Sequence, residues 1–99
     1  MTLSQARKAL DDMIHSPVRF TLAAALNSVD SADYQTLREE LGVSYSLLSK
    51  HAGILAETGY LKITKEFDGR TQITRMSLTR QGREAFQNHL DAEIQRLLQ

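Results

Sequence analysis

Residues 37–80 constrain this chain more than any other stretch, because the spacing of their apolar residues changes once and glycines mark where. Leu37, Leu41, Val43, Leu47 and Leu48 pack at helical spacing on either side of Gly42. Gly42 directly follows Leu41, where a helix that ends in a sharp turn needs a residue free to adopt left-handed dihedrals. Ser44 then caps a helix that continues to Thr58, and Gly59 closes it. Beyond Gly59 the spacing becomes alternation. Tyr60-Leu61-Lys62-Ile63-Thr64-Lys65-Glu66-Phe67 is rich in β-branched and aromatic residues and reads as a strand. Asp68-Gly69-Arg70-Thr71 reads as a hairpin tip, and Gln72 to Leu78 alternates back through Ile73, Arg75 and Met76. The order is helix, tight turn, helix, two-stranded ribbon.

The flanks are helical. Leu3, Ala6, Leu10, Met13 and Ile14 predict a helix over about residues 4–14. His15-Ser16-Pro17 breaks it, with Ser16 suited to an N-cap and Pro17 to a first helical turn. Val18, Phe20, Leu22, Ala23, Ala25 and Leu26 nearly surround the next helix, a pattern that only a centrally buried helix needs. Residues 27–33 are polar and read as a loop. A short helix over about 33–41 follows, capped by Asp33, with Tyr34, Leu37 and Leu41 on one face. Thr79 caps a last helix to about residue 98, with an apolar stripe of Phe86, Leu90, Ile94, Leu97 and Leu98. No repeat, low-complexity run or linker interrupts the chain, so residues 1–99 are expected to form one domain around one core.

Composition narrows the function classes. The chain has no cysteine, which excludes disulfides, thiolate metal sites and cysteine nucleophiles. Its longest apolar run, residues 22–26, is too short to cross a bilayer, and residues 1–14 lack the pattern of a signal peptide. A cytoplasmic protein is expected. No Gly-rich phosphate loop or nucleophile–base signature points to an enzyme, and no cofactor is expected. The net charge is zero, but it is segregated. Residues 30–41 set Asp30, Asp33, Glu39 and Glu40 against Arg38, a net of −3. Residues 42–80 set Lys50, Lys62, Lys65, Arg70, Arg75 and Arg80 against Glu57, Glu66 and Asp68, a net of +3. The basic part coincides with the second helix and the ribbon, where a local positive field attracts phosphate.

That helix has a readable outer face. Removing the buried set leaves Tyr45, Ser46, Ser49, Lys50 and Gly53, with 45, 49 and 53 stacked at i, i+4. Hydroxyls, a phenol and an ammonium in that arrangement suit base edges and phosphates of duplex DNA. Ser44, as N-cap, aims helix N–H groups outward toward an anion. On the ribbon, Lys65, Arg70, Thr71 and Arg75 suit the DNA backbone or a narrow minor groove, and Asp68 either holds Arg70 or caps the turn. His51 lies on the core stripe, where a half-buried histidine bonded to a backbone carbonyl is expected. Gly53, inside a helix, suggests either close helix packing or close approach of a DNA backbone. His89 and Glu93 at i, i+4, with Asp91 and His15, would bind zinc only if other ligands joined, so no metal is expected.

The chain resembles winged-helix transcriptional regulators of the MarR/ArsR type, closest to short MarR-like winged-helix domains that stand nearly alone. The likeness rests on His15-Ser16-Pro17-Val18-Arg19, Leu41-Gly42-Val43-Ser44 with Leu48-Ser49-Lys50-His51 and Leu55, Gly59-Tyr60-Leu61, Asp68-Gly69-Arg70, and Leu78-Thr79 with Gly82. It covers about residues 10–98. It implies a mainly α fold with a small β-hairpin (α+β), a winged helix-turn-helix with extra N- and C-terminal helices. It also implies Tyr45, Ser46, Ser49 and Lys50 on a recognition helix, Arg70 on the wing, and a bacterial repressor. Dimerisation through terminal helices is implied too, and Leu3, Leu10, Leu90, Ile94, Leu97 and Leu98 are the apolar residues available for it. An unidentified small-molecule effector stays open as a partner. A winged helix that binds protein rather than DNA is the alternative reading.

Overall fold

The computed structural model describes residues 14–98. The expected helix over 4–14 therefore lies outside the described residues, apart from Ile14, which is buried. Helix α1 (Pro17–Asn27) starts with proline in its first turn, as expected. Ser16 occupies the N-cap position but caps with its backbone alone: its carbonyl accepts the Phe20 N–H at 2.7 Å and its side chain makes no cap bond. Leu22, Ala23 and Leu26 of α1 are buried, and the helix touches each of the other helices and the sheet. It is the central element that its all-round apolar pattern demands.

A two-residue strand, β1 (Ala32–Asp33), leads into α2 (Tyr34–Leu41). The polar loop expected over 27–33 thus ends in a strand, which is a correction to the two-stranded ribbon. β1 pairs antiparallel with β3, Ala32 opposite Met76 and Asp33 opposite Arg75, giving a three-stranded sheet of order β1-β3-β2. Asp33 both ends that strand and caps α2, accepting the Thr36 N–H at 3.1 Å.

Helix α2 ends at Gly42, whose φ of 66° admits the turn into α3 (Tyr45–Thr58). Gly59 closes α3 in the same way, with Tyr60 N–H bonded to the Leu55 carbonyl at 2.9 Å and Gly59 N–H to that of Ala56 at 3.0 Å. Strands β2 (Leu61–Asp68) and β3 (Thr71–Leu78) pair from Leu61 opposite Leu78 to Asp68 opposite Thr71. Gly69 and Arg70 make a two-residue loop with positive φ at Gly69 alone, the pattern of a type II′ hairpin.

Helix α4 (Arg80–Leu98) completes the described fold. Its first turn is joined to the end of α3 through Thr79. The Thr79 hydroxyl donates to the Gly59 carbonyl at 2.6 Å and accepts the Gly82 N–H at 2.9 Å, while the Thr79 N–H donates to the Tyr60 carbonyl at 3.0 Å. Arg83 then donates to the Asn27 and Val29 carbonyls at 3.1 and 2.8 Å, covering the end of α1. The buried side of α4 runs through Gly82, Phe86, His89 and Ala92; of the expected apolar stripe, Phe86 and Leu90 pack on the core while Ile94, Leu97 and Leu98 are exposed. Phe86 packs on Phe20 with ring centroids 5.6 Å apart. His89 is fully buried, flanked by the rings of Phe20 and His15.

Candidate nucleic-acid interface

Helix α3 is held from beneath by Leu48, Ala52 and Leu55, all buried in the common core. That anchoring turns the opposite side of the helix to solvent. The Ser44 hydroxyl accepts the Leu47 N–H at 3.1 Å and lies 3.3 Å from the Ser46 hydroxyl. Ser44, Tyr45, Ser46 and Lys50 are all exposed, Tyr45 at 67%. Ser49 is half-buried, because Tyr34 of α2 reaches across the turn to it.

Tyr34 has a part in the site that the sequence does not signal. Its side chain packs against the core with Leu37 and Leu41, as its place on that face predicts. Its hydroxyl also donates to the Tyr45 carbonyl at 2.9 Å and lies 2.6 Å from the Ser49 hydroxyl, and its ring tilts against that of Tyr45 at 5.2 Å. No local pattern signals this, since both partners lie beyond Gly42.

The wing stands beside this helix. Leu61, Ile63, Lys65 and Phe67 share one face of the hairpin with their register partners Leu78, Met76, Thr74 and Gln72. Leu61, Met76 and Leu78 are buried, so that face turns toward the helices, and its outer part is left open. There Lys65 and Thr71 meet Tyr34, Tyr45, Ser49 and Gly53 around one open groove of about 560 Å³. Gly53 answers its own question: a methyl group there would meet no atom within 4 Å. Packing inside the molecule does not require glycine at this position, and the groove is clear above it.

Two expectations for the wing need correction. Arg75 has opposite parity to Lys65 and lies on the other face, where its Nε donates to Glu66 at 3.2 Å. It does not line the groove, whereas Thr71, of the same parity, reaches it at the tip end of the strand. Asp68 does not hold Arg70, as no ion pair joins them; it closes the β2–β3 ladder opposite Thr71. Arg70 is exposed at the hairpin tip. Lys50, Lys65 and Arg70 have no ion-pair partner among the described residues.

His51 is half-buried as expected, but its partner is a side chain: Arg19 Nη1 donates to its Nδ1 at 2.9 Å. Burial first, then the charges of Arg19 and Lys50, hold its pKa below 6.5. The native state thus resists a proton that the unfolded chain accepts. Stability contributed by this site is present above about pH 6.5 and is lost as pH falls through the lowered native value. Thermal melts between pH 7.5 and 5.5 are expected to show this acid-side fall, and His51→Gln, whose amide oxygen still accepts from Arg19, should reduce it.

The terminal positions separate. Leu90 is half-buried and packs on the monomer's own core. Ile94, Leu97 and Leu98 are 45%, 74% and 76% exposed, and Leu3 and Leu10 lie outside the described residues. Of the residues weighed as zinc ligands, His89 is buried, Glu93 pairs with Arg96 at 2.7 Å, and Asp91 accepts from Gln87. No group of three metal-ligating side chains forms among the described residues.

A helix-turn-helix with a hairpin beside its second helix has a counterpart among known families. The model of the winged helix DNA-binding domain matches residues 18–98. The chain belongs to that family. Solved structures agree on the fold. A transcriptional regulator homologue from Pyrococcus horikoshii OT3 superposes with a TM-score of 0.86 at 21% identity, over 96% of this chain and 92% of that one. The PcaV transcriptional regulator from Streptomyces coelicolor, in complex with its natural ligand, gives 0.75 at 21% identity, over 96% and 70%. The M. tuberculosis transcriptional regulator MOSR, in complex with DNA, gives 0.71 at 20% identity, over 96% and 69%. Comparison with curated proteins gives no match. The winged-helix fold that the sequence resemblance implies is therefore the fold observed. The three neighbours are themselves described as transcriptional regulators or a regulator homologue. No helix among the described residues is long and apolar enough to cross a membrane.

Proposed function

We propose that this protein is a sequence-specific duplex-DNA-binding transcriptional regulator that works as a homodimer. The observation that carries this reading is the shared groove, where the open face of α3 and the inner face of the wing adjoin. Ser44, Tyr45, Ser46, Ser49 and Lys50 enter the major groove, and Lys65, Thr71 and Arg70 grip the adjacent backbone. Arg75 has no part in it. Ile94, Leu97 and Leu98 supply the exposed apolar surface for a two-fold partner, which sets the two α3 helices about one DNA turn, ~34 Å, apart. Such a protein represses by occupying a promoter. A small-molecule release signal belongs to the same proposal, and the structure of PcaV in complex with its natural ligand supports considering one.

Selection of bound duplexes from a random pool at fixed salt, followed by a salt titration, tests the proposal. Three cations from each copy predict roughly a thousandfold loss of affinity between about 50 and 200 mM salt. Failure to enrich any duplex overturns it. Binding that ignores salt would favour the protein-binding alternative, for which exposed Tyr45 and Phe67 are the natural anchors.

A further inference from the structure

The hydrogen bonds around Tyr34 determine more than the position of α3. The phenol carries one proton, and two oxygens stand within its reach: the Tyr45 carbonyl at 2.9 Å and the Ser49 hydroxyl at 2.6 Å. A carbonyl only accepts. Were the phenol proton aimed at Ser49, the phenol and carbonyl oxygens would face each other lone pair to lone pair at 2.9 Å. The proton therefore goes to the Tyr45 carbonyl. The 2.6 Å contact then needs its proton from Ser49. Ser49 has one O–H, and it is committed to Tyr34. What Ser49 offers to the groove is a lone pair.

We infer that Tyr34 makes Ser49 an acceptor only, so that Ser49 selects a base presenting an amino group in the major groove, adenine through N6 or cytosine through N4. Guanine and thymine present acceptors at the corresponding edge and are disfavoured. A free serine hydroxyl reads either kind of base, because it rotates to donate or accept. Tyr34 is thus a positioning residue: it acts through Ser49 and fixes the polarity of one reading group. Its ring, tilted against that of Tyr45, keeps the first turn of α3 in register while it does so. This inference rests on the DNA-reading function proposed above.

The test compares sequences enriched from a random pool, at one salt concentration, by the wild-type protein, Ser49→Ala and Tyr34→Phe. Ser49→Ala identifies the base pair that Ser49 reads as the position where preference disappears. Each base pair carries one major-groove amino group, on adenine or cytosine, so the contact is read chemically: in the selected duplex that base is replaced by its analogue without the amino group, purine or 2-pyrimidinone. The replacement should cost the wild type about tenfold more affinity than it costs Ser49→Ala. Tyr34→Phe keeps the ring and frees the Ser49 proton. It should lower that excess cost to about twofold while preferences elsewhere in the site persist. A merely structural role for Tyr34 would weaken all positions together. An equal cost of amino-group removal for the wild type and Ser49→Ala, an unchanged cost in Tyr34→Phe, or no effect of Ser49→Ala would each overturn the inference. The wild-type cost decides by itself should the Tyr34→Phe protein melt early. If the wild type enriches no duplex at all, the proposed function has failed, and the inference falls with it.

Discussion

Gly82→Ala is expected to lower the melting temperature by more than about 10 °C, measured by circular dichroism. The added methyl carbon would lie 2.0 Å from the Tyr60 carbonyl oxygen, 2.8 Å from its carbon and 3.0 Å from its Cα. All three are backbone atoms, so no rotamer change relieves the clash. The first turn of α4 would have to retreat from the α3–β2 junction. That retreat breaks or stretches the bonds through Thr79 to Gly59, Tyr60 and Gly82. Steric strain of this kind together with lost buried hydrogen bonds amounts to about 3 kcal/mol or more. A domain of this size has roughly 5–15 kcal/mol in all. The control is Gly53→Ala, where the new methyl meets nothing within 4 Å and helix propensity favours alanine. That variant should melt no lower than the wild type. Equal melting temperatures for Gly82→Ala and wild type would mean that this junction is looser than its geometry indicates.

The double variant Lys50→Ala/Arg70→Ala is expected to fold normally and to lose DNA affinity by on the order of 10²–10³-fold near 0.15 M salt. Both side chains are exposed and lack ion-pair partners among the described residues, so removing them breaks no ion pair there. Each stands on one of the two surfaces that border the groove. In a two-fold dimer the change deletes four cations. At about 0.9 of a salt-slope unit per phosphate contact, the titration should flatten by up to roughly 3.6 units. Equal binding of the variant and the wild type to the selected duplex would remove the DNA assignment. Gel shift or fluorescence anisotropy at several salt concentrations reads both the affinity and the slope.

What the sequence disclosed follows from how far apart the interacting groups are. Gly42, the caps Asp33, Ser44 and Thr79, and the Gly69 hairpin act on residues a few positions away, so their spacing is enough to read them. The strand at Ala32–Asp33 escaped because two residues have no period, and its pairing partners Met76 and Arg75 lie across the fold. The Arg19–His51 bond joins residues 32 positions apart, which is why a backbone carbonyl was the expected partner. For the interface, the composition of the α3 face was legible, while Arg75 was misplaced because charge alone does not reveal which side of a strand a residue occupies. Tyr34 packs on the core as its stripe predicts, but the partners of its hydroxyl, Tyr45 and Ser49, lie on the next helix, beyond the reach of local spacing.

Thr79 links distant parts of the molecule through one small side chain. Its hydroxyl and N–H hold the last residues of α3, the start of the wing and the first turn of α4 as one rigid corner. In a two-fold pair joined through the far end of α4, a tilt at that seam would therefore swing the reading helix and its wing together as a lever. On the proposed function, a signal that changed the angle between two copies would thereby move both reading surfaces at once without touching either groove.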